Sequence, residues 1–74
     1  MKLPRITGEK VIKALRCAGF SPVHVRGSHH YLYHPEHDCI VIVPVHAKKT
    51  LAPKTLKSIL EQAHLSLEEF SSLR

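Results

Sequence analysis

Between Phe20 and Val45 the chain carries three short runs, and the breaks between them are too brief for anything but hairpins. Parallel strands need a crossover of about a dozen residues or more. Here Gly27-Ser28 separates the first run from the second, and Pro35 with the polar tip Glu36-His37-Asp38 separates the second from the third. The stretch therefore reads as three antiparallel strands. In the first, Val23 and Val25 alternate with His24 and Arg26, which predicts one buried face. The second runs from His29 to His34. The third, Cys39 to Val45, is almost continuously apolar, and Pro44 near its end marks an edge position or a bulge.

Helical periods flank the strands. Thr7 is an N-cap, followed by Val11, Ile12, Leu15 and Ala18 on one stripe, with Gly19 at the left-handed position and Phe20 closing the end. The spacing predicts a helix from about Gly8 to Ala18, which Ser21-Pro22 breaks. The segment HAKKTLAP reads as a polar loop. Pro53 then suits a first helical turn, and Leu56, Ile59, Leu60 and Ala63 form a second buried stripe. Ser66 with Glu69 is a capping box opening a short last helix through Leu67, Phe70 and Leu73. The order α-β-β-β-α-α, with the helices on one side of the sheet, is an α+β two-layer sandwich. One domain spans residues 1–74, and the other face of its sheet is left open.

Size and charge limit what that domain can do. Seventy-four residues are near the lower limit for a single self-supporting core, and 43% apolar content is ordinary for a globular chain. No apolar run approaches the roughly 20 residues of a bilayer span. The N-terminus lacks the apolar region of a secretory signal, so a cytoplasmic location is expected and a membrane partner is not. Cys17 and Cys39 read as small buried hydrophobes. The formal charge of +5 favours a polyanionic partner.

Alternation along RGSHHYLY sorts the second strand into two sets. Leu32 must be buried, so His30, Leu32 and His34 face the helices while His29, Tyr31 and Tyr33 face the open side. Arg26 ends the preceding strand close by. Aromatic rings and a guanidinium suit nucleotide bases, and the guanidinium also holds phosphate. His29 directly follows Gly27-Ser28, where a glycine permits a tight turn and close approach of a ligand. Imidazole exchanges protons near neutral pH, so in RNA it could deprotonate a 2′-hydroxyl or protonate a leaving 5′-oxygen. His30 and His46 are candidates for a second acid/base group. Lys48, Lys49, Lys54 and Lys57 cluster around the start of the second helix as phosphate-binding cations.

Seven histidines raise the question of metal. His30 and His34 share a face but lie about 13 Å apart along a strand, too far for one ion. Neither a Cys-x-x-Cys nor a helical His-x-x-x-His pair exists. A metal site is not expected, and no cofactor is.

The arrangement GF…VRGSHHYLYHP…VIVPVHAKK…LAPKTLKSILEQAHLS resembles the HicA (YcfA-like) toxins of prokaryotic HicA–HicB toxin–antitoxin modules, from Val11 to Phe70. The resemblance implies a fold like the double-stranded-RNA-binding domain and a metal-independent mRNA interferase activity. It makes His29 the catalytic histidine and Gly27 the family glycine, with Ser28 between them. It further implies a HicB-like antitoxin whose partial RNase H-like domain covers the active site in competition with mRNA. The chain departs from the family at Ala47, at Pro53-Lys54-Thr55 and at Ala63-His64-Leu65, where the family often has glycine; these positions shape loops. Two functions follow: an endoribonuclease toxin with His29 as acid/base group, or a non-catalytic RNA-binding module on the same fold.

Overall fold

A computed structural model describes residues 4–73. Its elements are α1 (Gly8–Cys17), β1 (Ser21–Arg26), β2 (His29–His34), β3 (Cys39–Pro44), α2 (Pro53–Gln62) and α3 (Leu67–Ser72). The sheet is antiparallel in the order β1-β2-β3, so β2 is central and both neighbours are edges. No helix among the described residues is long and apolar enough to cross a membrane.

The core lies between the sheet and the helices. Leu32, Val41 and Val43 meet Val11, Leu15, Leu56, Ile59, Leu60 and Phe70, all essentially solvent-free. A buried side chain of this size contributes roughly 1.5–3 kcal/mol. The caps are those the sequence specifies. Thr7 accepts from the Lys10 N–H, and Ser66 and Glu69 form the reciprocal box at α3, 2.9 and 3.0 Å long. Pro53 opens α2 without a side-chain cap.

The first strand departs from expectation. Val23 and Val25 are 55% and 54% exposed, and no residue of β1 is buried. Pro22 opposes Leu32 while His24 opposes Tyr31, so Val23 is the extra residue of a β-bulge. Val25 does face the helix side, opposite His30, but it lies on an edge strand that the helices cover only in part. Cys17 is also exposed, not buried, and Cys39 is half-buried; both thiols are free.

The loop before α2 is less polar than its sequence suggests. Thr50 pairs with Thr7, and the Leu51 N–H bonds the Ile6 carbonyl at 2.8 Å. Both Ile6 and Leu51 join the core.

Pro44 sits where an edge strand accepts it. The Val45 N–H donates to the Ser28 carbonyl at 2.7 Å, so hydrogen-bonded pairs fall at 28/45, 30/43 and 32/41. Residues 40, 42 and 44 therefore turn their backbone groups outward, where proline's missing N–H costs no ladder bond.

His34 is the one buried polar side chain of the described residues. Its Nε2 bonds the Ala18 carbonyl at 3.1 Å, and its Nδ1 accepts the His37 N–H at 3.3 Å. The hydrogen therefore sits on Nε2. The ring packs edge-on to Phe20, centroids 5.0 Å apart, and ties the end of α1 to the β2–β3 tip. Gly19, at φ +105°, leaves it room: a Cβ there would lie 2.8 Å from Nε2.

Candidate functional site

The turn between β1 and β2 positions the site. Gly27 has φ +59° and Ser28 does not share that sign, the pattern of a two-residue turn with glycine first, whose twist matches the flanking strands. A Cβ at Gly27 would meet nothing within 4 Å, so its glycine is required for backbone geometry alone.

A two-residue turn fixes what opposes what. Arg26 opposes His29 and His24 opposes Tyr31; on the far side Pro44 opposes His29, Ile42 opposes Tyr31 and Ile40 opposes Tyr33. Directly opposed residues share a face, so one surface carries His24, Arg26, His29, Tyr31, Tyr33, Ile40, Ile42 and Pro44. Leu32, Val41 and Val43 lie on the other, so this surface is the one the helices leave open. His29 and Arg26 are exposed, and Tyr31 is half-buried. Ile40 and Ile42 lie partly exposed, giving the surface an apolar floor along β3.

Tyr31 is about 7 Å along the strand from His29, within reach of one bound nucleotide, whereas Tyr33 is about 13 Å away. The Tyr33 hydroxyl donates to Asp38 Oδ1 at 2.8 Å, which raises its pKa above the usual tyrosine value. Tyr33 thus clips the β2–β3 tip together. Tyr31 packs on one side against His24, ring centroids 5.3 Å apart and planes at 58°.

The other expected residues divide. His30 opposes Val25 and Val43 and points to the helix side, away from His29. His46 is exposed and follows Val45, whose N–H bonds Ser28, so it lies at the turn end of the sheet. Lys48, in a turn at φ +60°, and Lys49 follow on from there. Lys54 and Lys57 belong to α2, in the layer behind the sheet; all four lysines are exposed.

Of the six acidic residues, Glu36 and Asp38 lie at the far tip and Glu61, Glu68 and Glu69 in the last two helices or their ends, while Glu9 follows Gly8, which packs against Pro44 and Val45 at the turn end. Arg26, Lys48 and Lys49 outnumber Glu9 at this end, an electrostatic setting that attracts polyanions. Among the described residues no three His, Cys, Asp or Glu side chains converge as a metal site would require. His24 received no role from the sequence, although counting back from the two-residue turn already sets it opposite Tyr31.

No curated protein matches the chain. The family model of the HicA toxin of bacterial toxin–antitoxin matches residues 8–65, a span from the start of α1 to just past α2 that contains the whole sheet. With that match over most of its length, the chain belongs to the HicA toxin family and is the toxin half of a toxin–antitoxin pair.

Proposed function

We propose that the protein is a metal-independent endoribonuclease that cleaves mRNA in the cytoplasm, with His29 as its acid/base group. The observation that carries this reading is the pairing of an exposed imidazole with Arg26, immediately after a glycine turn, on a sheet face free of helices. Imidazole moves protons near neutral pH, and a guanidinium one strand away neutralises the phosphate that those protons serve.

In the proposed reaction His29 takes the 2′-hydroxyl proton, and the 2′-oxygen attacks phosphorus in line. The 5′-oxygen leaves, and the product is a 2′,3′-cyclic phosphate. Arg26 holds the phosphate, and Tyr31 stacks on a neighbouring base. Lys48 and Lys49 extend the cationic track from the turn end, while Lys54 and Lys57 contact backbone further off without reading sequence. Ser28 supports the turn through its carbonyl bond to Val45. A HicB-like antitoxin neutralises the toxin by covering the open face, where the partly exposed Ile40 and Ile42 offer apolar area to a protein partner.

The test is cleavage of RNA by wild type and His29→Ala. Loss of cleavage with RNA affinity retained supports the nuclease. Equal cleavage by both proteins removes His29 from the chemistry. Binding without cleavage by wild type favours the non-catalytic RNA-binding module.

A further inference from the structure

The open face holds a second imidazole. His24 is exposed on the bulged edge strand, directly opposite Tyr31 and diagonal to His29. Diagonal neighbours on one face stand about 7–8 Å apart, and imidazoles extend outward from such positions. A phosphate bridged by two hydrogen bonds of about 3 Å each fits between them. Tyr31 is in contact with the His24 ring and limits its freedom on one side.

Resting on the nuclease reading, we infer that His24 is the general acid that completes the reaction His29 begins. The titratable and charged groups sharing its face are Arg26 on its own strand and His29, Tyr31 and Tyr33 on β2. The helices pack on the opposite face and contribute none there. Asp38, at the β2–β3 tip, is engaged by the Tyr33 hydroxyl. No Asp or Glu is among the strand residues paired onto this face.

The step balances as follows. Neutral His29 accepts the 2′-hydroxyl proton while the 2′-oxygen forms its bond to phosphorus. The bond from phosphorus to the 5′-oxygen breaks with both electrons on oxygen, and that oxygen takes the proton of the His24 imidazolium. A 2′,3′-cyclic phosphate and a 5′-hydroxyl result. His29 is left protonated and His24 neutral, and both exposed rings reset by exchange with water. His30 cannot substitute, because it faces the helices.

The experiment compares wild type, His24→Ala, His24→Arg and His29→Ala on two substrates. One is RNA; the other is a ribonucleoside 3′-(p-nitrophenyl phosphate), whose leaving group departs without a proton. On RNA, His24→Ala should lower kcat by about 10²-fold or more with little change in KM, and its pH–rate profile should lose the alkaline limb. His24→Arg, which restores a cation but no transferable proton, should bind RNA at least as tightly and stay equally slow. On the nitrophenyl ester both His24 deficits should vanish, while His29→Ala stays slow on both substrates. Unchanged RNA cleavage by His24→Ala, or an equal deficit on both substrates, overturns the role of His24 and leaves that of His29 standing. Cleavage of neither substrate by wild type overturns the nuclease and His24 together.

Discussion

His29 and His34 are five residues apart on one strand, yet they share almost nothing. His29 stands exposed opposite Arg26, with no side-chain hydrogen bond among the described residues. His34 is 7% exposed, and both its ring nitrogens are engaged by backbone. Five is odd, so the pleat sends the two rings to opposite faces, and the helices cover only one of them. The same side chain is a free proton carrier at one end of β2 and a structural bolt at the other. Chemistry belongs to the ring whose nitrogens have no other employment.

The largest expected effect follows from the free one. His29→Ala should reduce RNA cleavage by about 10²- to 10⁴-fold, the usual worth of a general acid or base. Its unfolding free energy in urea should stay within about 0.5 kcal/mol of wild type, as for a surface substitution without partners. A large loss of stability would show that the two histidines do not differ as their surroundings indicate.

His34→Ala should do the reverse. It deletes a buried ring and leaves the Ala18 carbonyl and the His37 N–H without their partner, at a cost of roughly 2–4 kcal/mol. At temperatures where this variant remains folded, its specific cleavage rate should match wild type. Denaturation curves and rates measured on the same preparations would separate the two effects.

How much of this contrast could be read from the sequence depends on what kind of signal carried it. Pleat parity placed His29 and Tyr31 together on the open face, because Leu32 fixed the phase and a period of two needs no further information. The caps at Thr7 and Ser66 were legible because each lies a few residues from the group it serves. Burial on β1 was not. It depends on how far the helices extend beneath an edge strand and on a bulge at Val23, and neither leaves a local mark. Cys17 was misplaced although the helical wheel argued otherwise: it is one residue, about 100° of turn, from Ala18 in the stripe. Ile6 and Leu51 reached the core through a single pairing of Thr7 with Thr50, residues too distant in sequence for any period to link. His24 was in reach, since a two-residue turn sets the register by counting alone.

A smaller effect is expected far from both histidines. Ser66 holds the Glu69 carboxylate below the usual glutamate range, through its backbone N–H first and its side chain second. A carboxyl lowered on folding adds stability above its unfolded value and loses that contribution as pH falls through the lowered one. Ser66→Ala should cost about 1 kcal/mol at neutral pH, read from denaturation midpoints. The difference from wild type should narrow in acid. Cleavage should not change, because α3 lies behind the sheet.

The last contrast, in which the Tyr33 change is the smallest effect of all, sets the two tyrosines of the open face against each other. The Tyr33 hydroxyl donates a hydrogen bond to Asp38 and stands about 13 Å from His29, whereas Tyr31 is two residues away. Tyr33→Phe should therefore leave cleavage nearly unchanged, and Tyr31→Ala should weaken RNA binding by the loss of one stacked base, about 1–3 kcal/mol. The Tyr33 pKa is raised by the hydrogen bond to Asp38, so its contribution to stability is complete below the ordinary tyrosine value and disappears as pH rises through the raised one. Wild type should accordingly lose a small increment of stability in alkali that Tyr33→Phe never has, visible as converging denaturation midpoints at high pH. Curves that stay parallel would mean that the hydroxyl at the tip is not held by the carboxylate, and Tyr33 would then be as available to RNA as Tyr31.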